Sequence, residues 1–423
     1  MISRIIDAIR FVAPAAWRIE ERKEETAELF FVKKQLDTRR SKDVTYYTVT
    51  LFRKDDAGRI GSTAITLPPE IAWNDLKKQL ADACYAASFA MNPGYAMPDP
   101  VQAAAEAKKS PLLEKPLAET AAVMSRALFE KDTHPSAFLN SAELFVERKK
   151  TRIVSSEGTD VSWTGGRVNG EFVAQCKEPE DVEIYQDFSY DDPAPEALSA
   201  LAAETLSFAA DRARAQKILK SGSYDLILTG ANVGEILSFY TGRSSARMIY
   251  PGYSRWKKGE AVQEAQEGFE SLSLSLKASE PFSEEGIPMK DRVLLDKGVL
   301  KTIHGSNRFC RYLGEEATGD YRTLRCDNSG SLPFEALKKA PCLWAVTFSD
   351  FQMDPMSGYL GGEMRLAYLI EEDGKVTPVT GGSVSALLLE KQGQLLFSKE
   401  RYVSARYEGP YAVRIPAVSV AGE

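Results

Sequence analysis

The chain has 423 residues and a formal net charge of −7 at pH 7, and a chain of this length usually forms two or three structural units. Hydrophobic residues make up 43% and charged residues 27%, which excludes the disordered, fibrous and membrane-embedded classes of protein. Lys and Arg are spread along the chain without a basic patch, so we expect no nucleic-acid partner.

The cysteines and the N-terminus predict a soluble, cytoplasmic protein without structural disulfides. The sequence has five widely spaced cysteines and no CxxC pair, a pattern typical of reduced thiols. The N-terminal segment is interrupted by Arg4, Arg10 and Arg18 and lacks the apolar stretch of a signal peptide. No run approaches the roughly 18 apolar residues of a membrane span, so no membrane partner is expected.

Residues 1–100 are predicted to form an N-terminal α+β domain. Alternating β-branched and aromatic residues predict an antiparallel meander with strands at 27–33, 44–53 and 59–67. A helix is expected within residues 70–90, where apolar residues recur at helical spacing. Three prolines and a glycine between Asn92 and Pro100 then predict an irregular connector.

Residues 101–217 are predicted to form a central α+β region. A helix is expected after Pro116, and strands are expected at 141–154 and 160–176. The segment from Pro195 to about residue 217 is rich in Ala and Leu, which predicts a long packed helix that ends this region.

Residues 218–423 are predicted to form a mostly antiparallel β domain with a barrel-like arrangement. A buried strand is expected at 222–229, and later strands include Leu294–Ile303, Trp344–Phe348 and Arg365–Ile370. The predicted fold class of the whole chain is therefore α+β, with mixed helices and antiparallel sheets before this β domain.

Several short motifs, in this order, resemble those of the TldD/PmbA family. The segments that carry the resemblance are 55–61 (DDAGRIG), 92–98, 155–158 (SSEG), 222–228, 282–301, 305–314, 318–322 and 373–382. Members of this family were historically called modulators of DNA gyrase and are now regarded as components of the TldD–TldE peptidase. The resemblance extends over almost the whole chain.

The metal motif of active members is replaced in this chain. Those members carry HExxxH on the helix after the strand that resembles 222–228, and the two His side chains would bind Zn²⁺ while the Glu acts as general base. Aligned on Gly234, the motif positions fall on Ser238 and Arg243 for the two His, on Phe239 for the Glu, and on Gly242 for the glycine. Only the glycine matches.

The third ligand of active members, a cysteine near the C-terminus, is replaced as well. The corresponding region reads Val403–Arg406. A guanidinium at Arg243 cannot ligate a metal and would bring positive charge to the place of the cation. The two histidines of the chain, His134 and His304, lie far apart and are expected to be surface or hydrogen-bonded residues. We therefore expect no bound metal, no cofactor and no catalytic residue.

Ser238 and the loop at residues 250–256 are the remaining candidates for chemistry or binding in the sequence. Ser238 resembles a nucleophile only superficially, because neither a GxSxG elbow nor a neighbouring His is predicted. The loop that contains Tyr250, Tyr253, Arg255 and Trp256 could bind an extended peptide or form an interface through aromatic and Arg side chains. Equally, its aromatic residues could pack on the β domain.

The resemblance implies a metal-free, TldE/PmbA-type subunit of a TldD/TldE-like metallopeptidase that processes unfolded peptides. Its partner would be a zinc-bearing TldD-type paralogue in a heterodimer, although a homodimer is also compatible with the family. The chain alone would be inactive, and neither Ser238 nor Arg243 is expected to have a chemical role. The alternative is a stand-alone, non-catalytic binding or regulatory protein linked to gyrase or to a toxin–antitoxin pair.

Overall fold

The computed structural model of the chain describes residues 1–104, 110–330 and 332–422. Its helices are α1 (Ile2–Val12), α2 (Trp73–Ala86), α3 (Pro111–Glu114), α4 (Leu117–Glu130), α5 (Pro195–Ala213), α6 (Ala231–Arg243), α7 (Ala246–Ile249), α8 (Asn307–Leu313), α9 (Phe334–Leu337) and α10 (Leu388–Lys391). Two short 3₁₀ helices lie at Ala87–Phe89 and Gln392–Gln394. Within the described ranges, no helix is both long and apolar enough to cross a membrane.

The strands fall into a first group that precedes α5 and a second group that follows it. The first group is β1 (Ala16–Val32), β2 (Gln35–Lys54), β3 (Ile60–Leu67), β4 (Gln102–Ala104), β5 (Ala137–Ser155), β6 (Asp160–Cys176) and β7 (Val182–Tyr190). The second group is β8 (Gly222–Thr229), β9 (Leu274–Lys277), β10 (Arg292–Asp296), β11 (Val299–Leu300), β12 (Thr323–Cys326), β13 (Cys342–Met353), β14 (Tyr359–Ile370), β15 (Val376–Val379), β16 (Ser383–Leu387), β17 (Leu396–Phe397), β18 (Arg401–Val403), β19 (Tyr407–Pro410) and β20 (Ala412–Ala421).

The first group forms one seven-stranded sheet in the order β3-β2-β1-β5-β6-β4, with β7 also paired to β6. The predicted meander is confirmed, because β1 pairs antiparallel with β2 and β2 with β3. One face of the sheet packs on helices: the apolar residues that α5 buries at helical spacing, Leu198, Ala202, Leu206 and Ala209, share a core with β5, β6 and β7.

The opposite face of this sheet is polar. Arg22 on β1 lies opposite Thr151 on β5, and Thr151 lies opposite Trp163 on β6, so the three side chains share one face. Lys149, two residues from Thr151, lies on the same face. This polar face explains why β1 and β2 start earlier than predicted, at Ala16 and Gln35: charged residues in these strands need not enter a core, and they hide the alternation on which the prediction depended.

The remaining predictions for this half are largely confirmed. Helices α2, α4 and α5 lie where helices were expected, although α5 ends at Ala213 rather than near residue 217. Strands β5 and β6 match the two predicted central strands. The sequence did not predict α1 or β7. Because the sheet combines strands from residues 1–100 and 101–217, the domain boundary near residue 100 stays a prediction.

The second group of strands confirms a mostly β C-terminal part with a barrel. In the sheet, each strand is hydrogen-bonded to the next in the order β13-β8-β20-β16-β14. Because β13 also pairs with β14, these five strands close into a barrel. A second sheet has the order β11-β10-β9-β12-β19-β18. The predicted strand Leu294–Ile303 is instead the hairpin of β10 and β11, because the chain reverses at Lys297 and Gly298, which both have positive φ.

Candidate functional site

Helix α6 carries the four positions of the replaced metal motif and packs between the barrel and the second sheet. It begins directly after barrel strand β8, at Gly230, whose φ of +60° favours glycine. Gly234 allows a close approach: a Cβ there would lie 2.6 Å from the Cβ of Tyr407. Likewise, a Cβ at Gly242 would lie 2.7 Å from the Cβ of Pro355. Both glycines are therefore packing residues of α6.

The contact between Gly234 and Tyr407 brings the C-terminal segment of the motif beside α6. Ser238 of α6 and both Ser404 and Arg406 of that segment line one cavity of about 260 Å³, which we call the α6 cavity. The structure thus brings together two of the segments that the resemblance assigned to metal binding. The α6 cavity is lined by Asp187, Phe188, Ser189, Ala231, Gly234, Glu235, Ser238, Thr241, Tyr321, Arg322, Thr323, Leu324, Tyr402, Ser404, Arg406 and Tyr407.

Ser238 has no base beside it. Its Oγ donates a hydrogen bond to the carbonyl oxygen of Glu235, one turn earlier in α6, at 2.6 Å. The side chains that line the α6 cavity include no His and no Lys in the part of the chain that is described. A serine without a neighbouring His or Lys to take its proton stays a weak nucleophile at neutral pH.

Phe239, at the position of the general base, belongs to the hydrophobic core. Its side chain is fully buried, and its ring meets that of Trp256 edge to face, with centroids 5.7 Å apart. Tyr240 is also buried and stacks on Trp256 at 6.0 Å. The general-base position is thus occupied by an apolar side chain that faces the core rather than the α6 cavity.

Arg243 is not among the residues that line the α6 cavity, so the expectation that its charge would lie at the place of the cation stays a prediction. Its Nη1 donates to the carbonyl oxygens of Tyr253 and Met356, each at 3.0 Å. The guanidinium also lies over the ring of Trp256, 5.6 Å from its centroid. Partial burial lowers the pKa of Arg243, and the nearby Asp354 carboxylate opposes that shift. Arg243 therefore fastens two loops to the C-terminal end of α6.

The residues at this site do not fit a zinc ion. Hydroxyl groups and a guanidinium replace the imidazole and thiolate ligands that zinc prefers. Among the described residues, no group of three or more His, Cys, Asp or Glu side chains is arranged to hold a metal ion. No chemical step through a metal can be assigned to this chain's own residues.

Positive charge in the α6 cavity comes from Arg322 and Arg406, whose importance the sequence analysis missed. Both side chains are exposed, and both also line an adjoining cavity of about 580 Å³. We call this second space the sheet cavity, because Arg167 and Asn169 on the polar face of β6 form part of its wall. Two signals in the sequence pointed to them: Arg322 lies in a segment that carries the family resemblance, 318–322, and Arg406 lies in the region 403–406 that corresponds to the third ligand.

His304 lies against α6, although its place in the sequence did not indicate this. Its Nε2 is 2.9 Å from the carbonyl oxygen of Thr241, which requires the proton to be on Nε2. The residue is 4% exposed, and this burial lowers the pKa of His304. His134 accepts hydrogen bonds at Nδ1 from the backbone N–H groups of Ser136 and Ala137. Both histidines are hydrogen-bonded, as expected.

The loop of Tyr250, Tyr253, Arg255 and Trp256 has one residue that packs on the β domain and three that are exposed. Trp256 packs on the core beside Tyr240. Tyr250 and Tyr253 are 43% and 56% exposed, and Arg255 is exposed as well. None of the four lines the α6 cavity among the residues described, so a role of this loop in peptide binding or in an interface stays a prediction.

All five cysteines are free and buried: Cys84, Cys176, Cys310, Cys326 and Cys342. Burial raises the pKa of Cys326 to about 12 and the pKa of Cys310 to about 11. These thiols therefore stay protonated at neutral pH, which excludes them as activated nucleophiles.

Comparison with known proteins identifies the family of the C-terminal part. The model of the PmbA/TldA metallopeptidase C-terminal domain matches residues 221–422, a range that includes α6, the α6 cavity and the barrel. No curated protein matches the chain by sequence.

Solved structures share the fold over the full length. TldE from Thermococcus kodakarensis superposes with a TM-score of 0.78 at 16% identity, covering 99% of this chain and 100% of that one. A protein from Bacteroides thetaiotaomicron described as a candidate modulator of DNA gyrase gives a TM-score of 0.80 at 15% identity, covering 100% of this chain and 99% of that chain.

A similar candidate modulator of a DNA gyrase from Thermotoga maritima gives a TM-score of 0.76 at 17% identity, covering 99% of both chains. At these identities the structural likeness shows the fold, whereas the match over residues 221–422 supplies the relationship. The C-terminal domain match shows that residues 221–422 are a C-terminal domain of the PmbA/TldA metallopeptidase family, and the shared fold extends the likeness over the whole chain.

Proposed function

We propose that this chain is the metal-free, TldE-type subunit of a TldD/TldE-like peptidase and binds an extended peptide at the α6 cavity. The observation that carries the proposal is that Ser238 and Ser404 line the same cavity. The scaffold that would surround a metal is kept, while the side chains at its centre are hydroxyls. Peptide-bond cleavage then requires a metal and a base from a zinc-bearing paralogue.

The walls of the cavity support a peptide ligand. Asp187, Phe188 and Ser189 of β7 belong to its lining, and β7 pairs with β6 on one side only among the described strands. A strand with a free edge can hydrogen-bond to an extended peptide. The carbonyl oxygen of Ser189 already accepts a backbone hydrogen bond from Ala405 at 2.8 Å, which joins β7 to the C-terminal segment.

Charge on the polar sheet face also supports a polypeptide rather than a polyanion. A third cavity, of about 410 Å³, is lined by Arg22 and Lys149 of this face and also by Glu20 and Glu280. Side chains of both signs can interact with the mixed charges of an unfolded peptide, whereas carboxylates repel a nucleic-acid backbone.

The test is hydrolysis of an unfolded fluorogenic peptide by three samples: this chain, a zinc-bearing paralogue, and their mixture. We expect no cleavage by this chain, chelator-sensitive cleavage by the mixture, and co-purification of the two subunits. The variant Ser238→Ala should change the activity of the mixture by only a small factor, because the Ser238 hydroxyl is hydrogen-bonded within its own helix. Chelator-insensitive cleavage by the isolated chain that is lost in Ser238→Ala would contradict the proposal.

The same experiment addresses the alternative. If the mixture gains no activity and the isolated chain still binds the peptide, the stand-alone binding protein is the better description. A homodimer and a heterodimer are separated by the molar mass of the co-purified species.

A further inference from the structure

We propose that Arg322 and Arg406 together form a binding site for a carboxylate group of the bound peptide. The inference rests on the proposed peptide-binding function and adds the chemical class of ligand that this site prefers. It assigns a role to two arginines that neither the replaced metal motif nor the family match explains.

The backbone brings the two arginines to one edge of the second sheet. Arg322 directly precedes β12 and Arg406 directly precedes β19, and these strands pair in parallel with Leu324 opposite Tyr407. The N–H of Leu324 donates to the carbonyl oxygen of Arg406 at 3.0 Å. Because parallel strands start at the same edge of a sheet, both arginines lie at one edge. That edge faces the α6 cavity and the sheet cavity, and both arginines line both cavities.

Neither guanidinium forms a buried ion pair with another side chain among the described residues. Among the described residues, the Arg406 guanidinium makes no ion pair and no hydrogen bond. Within the described ranges, the one ion pair of Arg322 is with the Glu284 carboxylate, at 3.5 Å between side chains that are 60% and 73% exposed. Exposed pairs of this kind contribute little free energy, so a ligand can replace Glu284 without a large cost.

The surroundings favour a single carboxylate over a polyanion. Asp187 and Glu235 also line the α6 cavity, but neither carboxylate is within ion-pair distance of Arg322 or Arg406 in the described structure. Their negative charge reduces the attraction for a multiply charged anion such as a phosphate. One peptide carboxylate adds one negative charge and can accept two parallel hydrogen bonds from a guanidinium.

The remaining walls strengthen such a contact. Phe188, Leu324, Tyr402 and Tyr407 provide apolar surface around the α6 cavity, and charged hydrogen bonds are stronger where apolar groups exclude water. Burial raises the pKa of Tyr402 to about 12, so its phenol stays neutral and does not oppose an anion. The Oγ1 of Thr241, another lining residue, is buried without a hydrogen-bond partner among the described residues, which leaves a further polar group for a ligand.

The carboxylate has two sources in a peptide, the C-terminus and an Asp or Glu side chain. The experiment uses four labelled peptides of one sequence, which end in a carboxylate or an amide and carry either Glu or Gln at one interior position. Their affinities for the full chain are measured by fluorescence anisotropy at low and at high salt. The protein samples are wild type, Arg322→Gln, Arg406→Gln and the double variant, with Arg247→Gln as the control for an exposed arginine on α7.

We expect wild type to bind carboxylate-bearing peptides roughly tenfold more tightly than the doubly neutral peptide, as for one charged hydrogen-bonded contact. The advantage should decrease with salt, should disappear in the double variant and should persist in Arg247→Gln. If the tighter binding requires the C-terminal carboxylate, the C-terminus is the source; if it requires the interior Glu, the side chain is the source. Thermal unfolding midpoints equal to that of wild type establish that the variants are folded.

Each failure has a distinct meaning. Equal affinity of wild type for all four peptides would overturn the carboxylate site while leaving the proposed peptide binding intact. A preference for carboxylates that survives in the double variant would overturn the assignment to Arg322 and Arg406. If no peptide binds at all, the proposed function itself is contradicted and the carboxylate site is withdrawn with it.

Discussion

The two ends of the α6 segment that the resemblance aligns with the metal motif, Ser238 and Arg243, have different surroundings. Ser238 lies on the wall of the α6 cavity, where its hydroxyl is bonded only to the carbonyl oxygen of Glu235 within its own helix. Arg243, five residues later, is directed away from that cavity and holds the carbonyl oxygens of Tyr253 and Met356. The open end resembles a binding site, and the packed end is part of the structural framework.

Helix geometry explains part of this difference. Residues five positions apart lie about 140° apart around an α-helix, so the two motif ends do not share a face. Without a metal to draw both side chains together, each follows its own surroundings. We therefore expect larger effects on stability from substitutions at the packed end, Arg243, than at the open end, Ser238.

The largest effect is expected at Phe239, between the two ends. Phe239→Ala should lower the free energy of unfolding of the C-terminal part by about 3–5 kcal/mol, because it leaves a cavity in a fully buried core. Urea unfolding followed by tryptophan fluorescence measures this change. The control is Phe89→Ala, since the Phe89 side chain is 72% exposed. A loss at Phe239 no greater than at Phe89 would place Phe239 outside the core.

A smaller effect is expected at Arg243. Arg243→Ala removes the donor for two loop carbonyl groups and should cost about 1–3 kcal/mol. Arg247→Ala, at an exposed arginine on α7, and Ser238→Ala, at the open end, should each change stability by about 0.5 kcal/mol or less.

Limited proteolysis of the Arg243→Ala variant complements the unfolding measurement. Cleavage within residues 250–258 should become faster than in wild type and in Arg247→Ala, since Arg243 fastens this loop. Equal stability and equal cleavage of all three proteins would remove the distinction between the packed end and the open end.

The smallest effect concerns pH. Burial lowers the pKa of His304 below its ordinary value, so the folded protein keeps the neutral ring after the unfolded chain has taken up a proton. The stability that His304 contributes is complete above its unfolded pKa of about 6.5 and is lost as the pH falls below it, by at most about 1.4 kcal/mol per pH unit. The loss ends at the lowered pKa of the folded state.

Urea midpoints at pH 7.5 and at pH 5.5 test this expectation. His304→Gln should reduce the difference between the two midpoints relative to wild type. His134→Gln is the control, because His134 is less buried than His304. A pH dependence that is identical in wild type and in His304→Gln would show that His304 does not contribute.

The sequence predicted the elements with ordinary amphipathic patterns and missed those with charged faces. The helix that begins at Pro195 was predictable because its apolar residues recur at helical spacing. The first half of β1 was not, because Arg18, Glu20 and Arg22 line an open cavity on the polar sheet face and hide the alternation. Whether a strand faces a core or a cavity is decided by packing, which a single sequence does not contain.

The candidate site was predictable in its position and not in its geometry. The resemblance indicated that Ser238 and the segment 403–406 would meet, and the structure places both on the α6 cavity. The direction of Arg243 and the pairing of Arg322 with Arg406 depend on contacts between residues far apart in sequence, Arg243 with Met356 and Leu324 with Arg406. Such contacts leave no local pattern in the sequence.

The side chains around the α6 cavity are expected not to bind zinc, although the resemblance assigns Ser238 and the segment 403–406 to metal-ligand positions. The most direct measurement is the zinc content of the purified chain, determined by elemental analysis after equilibration with zinc and removal of loosely bound ions. We expect far less than one zinc ion per chain, with no change on treatment with a chelator. One tightly bound zinc ion per chain that a chelator removes would contradict it.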